Sequence, residues 1–312
     1  MAILLASNFD AAEMAAWWPE LQQALPGERL LRDRSELLAG ETITIALAAN
    51  PPPGALAGLP ALRLIQSLWA GVDKLLADAS VPADVPLARM VDPAMNEAMA
   101  ETALWAVLSL QREFLAYARQ QREPVWRQLP QRRADEIAVA VLGLGQMGRT
   151  CALRLARNGY HVTGWSRSET KVAGIEAFAG DAALASVLAN ADIIVNLLPL
   201  TGATRGMFDA QAFARMRRGA ALVNLARGAH VVEADLLQAL SNGQLGHAVL
   251  DVFANEPLPA EHAFWSHPRI TVLPHVAALT DPRSAALIAA RNVVALREGR
   301  ALENLVNRSR GY

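Results

Sequence analysis

The chain is short of several things. Among its 312 residues there is one cysteine, Cys151. No internal disulfide can form and no cluster of thiolates can hold a metal, so the sequence fits a reducing cytoplasm and predicts no metal site. An excess of charge is missing too: 29 basic and 30 acidic residues give a net charge of −1. That balance exerts no global pull toward nucleic acid or an anionic membrane, and it favours a small-molecule partner. No uninterrupted apolar stretch reaches the length of a bilayer span. The opening MAILLASNFD lacks the basic leader, long apolar core and small-residue cleavage pattern of an export signal, so it reads as a first buried strand. Repeats and low-complexity tracts are absent. Neither membrane insertion nor export is expected.

What the chain has is apolar substance: 53% of it is hydrophobic, enough for sizeable cores. Its length exceeds the usual single core, and two domains with a cleft between them are expected. Short apolar runs alternate with helical patterns from the start, as AILLAS, RLL, TITIALAAN, LRLIQSLWAG and PLARMV. This is the rhythm of a parallel sheet, punctuated by NPPPGALAGLP. From Pro93 a single long helix is expected through PAMNEAMAETALWAVLSLQREFLAYARQQ, linking the domains. The six arginines between Arg112 and Arg133 read as a solvated face or an interface loop, because no second basic element or aromatic ladder accompanies them. A second series follows in IAVAVLG, HVTGWS, DIIVNLLP, ALVNLA, HAVLDVF and ITVLP, six strands of a doubly wound sheet. After Asp281 a closing helix, SAALIAARNVVALREG, has the length to cross back onto the first domain.

Gly143, Gly145 and Gly148 spell GxGxxG between the strand IAVAVL and the helical CALRLARNG, with Gln146 and Met147 inside the loop. The first glycine permits a tight turn, the second lets backbone approach a pyrophosphate, and the third lets helix pack on strand. Glycines also mark ordinary turns, and it is the flanking strand and helix that make this a dinucleotide loop. The next strand ends in Ser166, Arg167 and Ser168, where a site for NAD would place a carboxylate on the ribose 2′-hydroxyl, yet no acid comes before Glu169. A guanidinium and two hydroxyls, with Lys171 as helper, suit a 2′-phosphate, so NADP(H) is preferred over NAD(H).

Three charged residues follow successive strands: Arg227 after LVNLA, Glu256 past VLDVFAN and His275 after ITVLP. Parallel strands bring their carboxyl ends to one edge of the sheet, so the three converge there. Reducing a 2-oxo acid needs a cation for its carboxylate and carbonyl, a proton donor for the developing alkoxide and a hydride donor. Arginine's planar fork fills the first post, and histidine, titrating near neutral pH, fills the second with Glu256 favouring the imidazolium. Singly each has a duller reading: a carbonyl-bonding arginine, a loop acid before Pro257, a strand-end histidine. It is the combination beyond a nucleotide loop that points to catalysis.

The same text carries a resemblance. GLGQMG, NLARG, LDVFANEPLP and LPHVA, with VVEADLLQAL between, resemble the D-isomer-specific 2-hydroxyacid dehydrogenases over nearly the whole chain. SLWAGVDKLL, WSRS, NLARGAHVVEADLL and the closing RSRGY are similar to a branch of that family that reduces glyoxylate and hydroxypyruvate. The resemblance implies an α/β fold of two domains. A flavodoxin-like substrate domain takes residues 1–94 and 285–312, and a Rossmann doubly wound dinucleotide-binding domain, residues 95–284 with the linking helix, is inserted between its parts. It implies NADPH-dependent reduction of glyoxylate to glycolate and of hydroxypyruvate to D-glycerate, in a homodimer. Arg227 would bind substrate, His275 would be the general acid and Glu256 its partner. Backbone amides of Ala70, Gly71 and Val72 would hold the carboxylate, Asp251 would contact the nicotinamide carboxamide, and Leu198, Pro199, Thr204 and Ala226 would border the cofactor. Ala49 stands where that branch leads one to expect an aromatic, and Trp69 where a small residue is usual, so the substrate wall is rebuilt here or Trp69 is ordinary core. A reductase for a bulkier 2-oxo acid and a non-enzymatic dinucleotide sensor are the alternatives.

Overall fold

A strand covered on both faces shows no alternation in its sequence, and ITIALAA, buried at every position, is the clearest case. It is the third of five parallel strands: β1 (Ala2–Ser7), β2 (Arg29–Leu31), β3 (Ile43–Ala49), β4 (Leu64–Ser67) and β5 (Leu87–Ala88). Their order in the sheet is β2-β1-β3-β4-β5, the flavodoxin-like arrangement. The computed structural model describes residues 1–312. Within it this sheet belongs to one compact unit, Met1–Met95 with Thr280–Tyr312, and Asn96–Leu279 form a second.

In the first unit, helix Ala11–Ala24 starts at a reciprocal cap: Asp10 accepts from the Glu13 amide at 2.8 Å, and Glu13 accepts from the Asp10 amide at 2.9 Å. It packs against the closing helix Pro282–Arg297. That closing helix is held within the first unit by polar bonds, one of them buried and reaching β4. Asn292 Nδ2 donates to Gln66 Oε1 at 2.7 Å, and Arg297 pairs with Glu28 at 2.9 Å.

The second unit holds seven parallel strands: β6 (Ala138–Leu142), β7 (His161–Ser166), β8 (Glu176–Ala179), β9 (Ile193–Asn196), β10 (Ala220–Asn224), β11 (Leu245–Leu250) and β12 (Ile270–Val272). The order β12-β11-β10-β9-β6-β7-β8 is that of a doubly wound sheet, with its switch point between β6 and β9. Side chains alternate between two cores. Ala140, Leu142, Ile194, Leu222 and Leu250 face one that includes Phe208, Phe213 and Phe264; Val139, Val141, Val195, Val223 and Val249 face the other, with Leu155 and Cys151. Burial pushes the Cys151 thiol up to about 12, which leaves it a packing residue.

Two expectations are corrected. The second sheet has a seventh strand, β8, which sequence reading passed over because EAFA is short, lacks β-branched residues and sits half exposed at the sheet edge. The long helix after Pro93 is two helices, Pro93–Gln111 and Phe114–Arg122, broken where Glu113 takes a left-handed conformation at φ 58°. Tertiary bonds hold the break: Gln111 accepts from the Tyr160 hydroxyl at 2.6 Å and donates to the Arg132 carbonyl at 2.9 Å. No helix is long and apolar enough to cross a membrane.

Candidate active site

At the switch point β6 runs into the glycine loop. Gly143 has φ 100°, and a Cβ there would stand 2.7 Å from the Leu197 carbonyl oxygen, so neither its backbone angle nor its surroundings admit a side chain. A Cβ on Gly148 would stand 1.6 Å from the Gly143 carbonyl oxygen, which is how closely the helix lies on the loop. Gly145 is different: nothing lies within 4 Å of its Cβ position. It caps helix Gln146–Arg157 without a side chain, and the first turn carries no acid. The opening amides of that helix have no acceptor within it, and the positive end of the helix stands behind the open position at Gly145. This cradle fits the pyrophosphate of a dinucleotide.

Around it lie the other predicted contacts. Leu198 is buried at the end of the β9 segment. Thr204 gives its hydroxyl proton to the Pro199 carbonyl at 2.8 Å and accepts from the Thr201 amide at 2.8 Å, so it builds the turn that carries Pro199. Past β7, Ser166 Oγ donates to the Ser168 carbonyl at 2.7 Å, which folds the 166–170 turn on itself. Arg167 and Lys171 are exposed, and Arg167 Nη2 lies 3.5 Å from Thr201 Oγ1 across the mouth of the loop.

Arg227, Glu256 and His275 follow the three neighbouring strands β10, β11 and β12. His275 Nδ1 donates to Glu256 Oε2 at 2.8 Å, since an ionised carboxylate only accepts. The other carboxylate oxygen of Glu256 receives the Phe253 amide at 2.9 Å. Phe253 in turn abuts Gly228, where a Cβ would stand 1.9 Å from the Phe253 carbonyl carbon, and Arg227 is the next residue. The partly buried Arg227 donates from Nη1 to the Ala226 carbonyl at 2.7 Å. The segments that carry Arg227, Glu256 and His275 are thus in direct succession.

His275 sits in the left-handed region at φ 56°, a conformation that costs a histidine energy unless its surroundings impose it. They do so through Asp251, whose carbonyl accepts from the His275 amide at 2.9 Å and whose carboxylate accepts from Val276 at 2.7 Å and Ala277 at 3.1 Å. Burial holds the Asp251 carboxyl above its ordinary value, a rise that those two amides and nearby His275 only partly offset. The imidazole, clamped this way, remains about half exposed, with Nε2 directed away from Glu256.

In the first unit, Ser67 at the end of β4 shapes the predicted carboxylate loop: its Oγ donates to the Trp69 carbonyl at 2.9 Å and accepts from the Trp69 amide at 3.1 Å. Ala70, Gly71 and Val72 follow. The Trp69 ring meets Trp17 edge-on at 5.6 Å and Phe9 at 6.2 Å, so it is a packed residue. It is also a wall, because it lines a concavity of about 550 Å³ together with Asn8, Ala49, Asn50 and Lys74.

Among the buried polar residues that escaped the sequence reading, Asn196, Asn224 and His230 stand together beside these loops. Asn196 Nδ2 donates to Asn224 Oδ1 at 2.9 Å and lies 2.8 Å from His230 Nδ1. A signal was available, for IIVN and ALVN are both apolar strands that end on asparagine.

A doubly wound parallel sheet with a glycine cradle at its switch point, and a paired histidine and carboxylate beside an arginine at adjacent strand ends, defines a dinucleotide-dependent oxidoreductase. A family model described as the D-isomer specific 2-hydroxyacid dehydrogenase NAD binding domain matches residues 104–277. A glyoxylate/hydroxypyruvate reductase A of Serratia proteamaculans is 42% identical over 272 residues, covering 86% of this chain and 87% of that protein. A solved D-isomer specific 2-hydroxyacid dehydrogenase from Xanthobacter autotrophicus Py2, in complex with NADPH and MES, superposes with a TM-score of 0.93 at 40% identity, over 100% of this chain and 99% of that one. An NADPH-dependent glyoxylate/hydroxypyruvate reductase from Sinorhizobium meliloti, in complex with NADP and sulfate, does so with a TM-score of 0.92 at 34% identity and the same coverage. The chain belongs to the D-isomer specific 2-hydroxyacid dehydrogenases.

Proposed function

We propose that the chain reduces glyoxylate to glycolate and hydroxypyruvate to D-glycerate with NADPH. The observation that carries this reading is the His275 to Glu256 hydrogen bond of 2.8 Å on a clamped loop, in succession with Arg227. When bound, the nicotinamide supplies a hydride to C2 of the 2-oxo acid. Arg227 aligns the acid through its guanidinium and draws charge onto the carbonyl oxygen. His275 gives the Nε2 proton to the developing alkoxide, and Glu256, accepting from Nδ1, orients the ring. The amides of Ala70, Gly71 and Val72 are assigned to the substrate carboxylate. Ala226 and the segment from Leu198 to Thr204 border the dinucleotide, and Asp251 serves it from beside His275. The kinetic test is a panel of glyoxylate, hydroxypyruvate and pyruvate with each cofactor. The highest kcat/KM is expected for the first two with NADPH, and absence of turnover with all three would refute the proposal.

The cofactor preference rests on Arg167, exposed at the end of β7 with Ser168 and Lys171 near it and no acid before Glu169. The NADPH and NADP complexes of the Xanthobacter and Sinorhizobium relatives agree with it. Arg167→Ala is expected to raise KM for NADPH by about tenfold or more and to leave KM for NADH nearly unchanged, because a charge-assisted bond to the phosphate is worth about 1.5–3 kcal/mol. Initial rates with the two cofactors check this, and equal losses would contradict it.

One observation favours a second reading, reduction of a bulkier 2-oxo acid: the concavity beside Trp69 is widened by the small Ala49. On that reading wild type turns over phenylpyruvate well, and Ala49→Trp lowers kcat/KM for it by about tenfold or more while sparing glyoxylate. Wild type without phenylpyruvate activity leaves the glyoxylate reading in place.

We infer a homodimer located in the cytoplasm, the latter in keeping with one buried, unreactive thiol. Trp126 is 99% exposed, and Trp105, Phe114 and Val125 within the same stretch are exposed as well, an arrangement that a partner subunit would cover. Light scattering on a sizing column is expected to give twice the chain mass, and Trp126→Arg to shift the population toward monomer.

A further inference from the structure

Asn196 closes β9 and Asn224 closes β10; both are fully buried, as is His230. Their bonds form a closed set. Asn196 Oδ1 accepts from the Leu198 amide at 3.3 Å, and its Nδ2 serves Asn224 Oδ1 and His230 Nδ1. His230 Nε2 lies 3.3 Å from the Pro199 carbonyl, which can only accept, so the ring hydrogen is on Nε2 and Nδ1 is the acceptor. Asn224 Oδ1 also accepts from the Ala226 amide at 3.3 Å. The last bonds reach the functional loop: Asn224 Nδ2 donates to the Arg227 carbonyl at 2.9 Å, and the His230 amide donates to the same oxygen at 3.2 Å.

Stability does not call for such a set. Apolar residues of similar shape at two strand ends inside a core would cost less desolvation, and a polar set is tolerable only when every member is satisfied. What the asparagines and the histidine do is fix main chain: residues 198–199 on one side and 226–227 on the other. Both segments border the assigned site. We infer that Asn224, braced by Asn196 and His230, is a positioning residue that sets the backbone at Arg227 and so the aim of its guanidinium, and that it couples this loop to the turn at Pro199. The inference rests on the role of Arg227 proposed above.

Asn224→Asp tests it at constant shape. The new carboxyl keeps the acceptor for Asn196 and Ala226 but, when ionised, sets a negative oxygen against the Arg227 carbonyl; when protonated it donates as the amide did. Burial raises the pKa of such a carboxyl. The titratable neighbours are Arg227 and His230 beyond β10 and Asp251 after β11, while β9 offers the neutral Asn196. The readout is the ratio of variant to wild-type kcat/KM for the 2-oxo acid. It is expected to be about tenfold below unity near pH 8 and to recover several-fold near pH 5.5, with Kd for NADPH within about twofold of wild type. A ratio that is flat with pH, or a loss shared equally with NADPH binding, overturns the inference. If the variant does not fold, His230→Gln, which retains a donor and an acceptor, should stay within about threefold of wild type where His230→Phe loses about tenfold; equal behaviour of the two overturns it. Arg227→Ala assayed in parallel separates the cases. Full activity there refutes the role of Arg227 itself, whereas loss there with an unimpaired Asn224→Asp refutes only the positioning.

Discussion

Replacing His275 with alanine is expected to lower kcat for 2-oxo acid reduction by about two to four orders of magnitude, the range for removal of a general acid. The loss should fall on chemistry. His275 follows β12, whereas the glycine cradle follows β6, with three strands between them in the sheet, so the dinucleotide keeps its pyrophosphate site. The left-handed backbone at φ 56° remains imposed by the Asp251 bonds to residues 275–277, all of which are made by main-chain amides that alanine retains. Kd for NADPH by fluorescence titration should therefore stay near the wild-type value. Glu256→Gln should cost less than the alanine change, because an amide oxygen still accepts from Nδ1 while the negative charge and the bond from the Phe253 amide are lost. A His275→Ala enzyme that turns over at wild-type rate would place the acid elsewhere.

How far the sequence disclosed this site depends on what kind of signal each residue left. Gly143, Gly145 and Gly148 were legible because backbone space constrains residue type directly: two of the three positions admit no Cβ at all. The placement of Arg227, Glu256 and His275 after neighbouring strands was legible because strand ends in a parallel sheet converge, and their proposed roles rest on that placement. Asp251 was read as a cofactor contact alone; its clamp on the His275 loop depends on which amides its oxygens reach, and no sequence pattern encodes that. The pair Asn196 and Asn224 was passed over although each sits at a strand terminus, because a polar residue after an apolar run reads as the first residue of a loop. Only the pairing of β9 with β10 shows that they face each other. Strand β8 and the break at Glu113 failed for a related reason, since tertiary bonds decided them against weak local preference.

Arg227→Ala is expected to cut kcat by about two to three orders of magnitude, as for loss of a preorganised donor to a developing oxyanion, and to raise KM for the 2-oxo acid as well. Both constants should move because the proposed role gives one fork two purposes, gripping the acid in the ground state and taking up charge as the carbonyl is reduced. Arg227→Lys should recover little: an ammonium is a point charge without the planar pair of donors that meets two oxygens at once. Free guanidinium added to the alanine variant fills the vacated volume with the missing group and should restore part of the rate, whereas added ammonium should not. The variant should fold, since Gly228 keeps its seat on Phe253 and the Arg227 carbonyl keeps its bonds from Asn224 and His230. A raised KM with kcat untouched would assign Arg227 to binding alone and leave the polarising charge to be found on another residue.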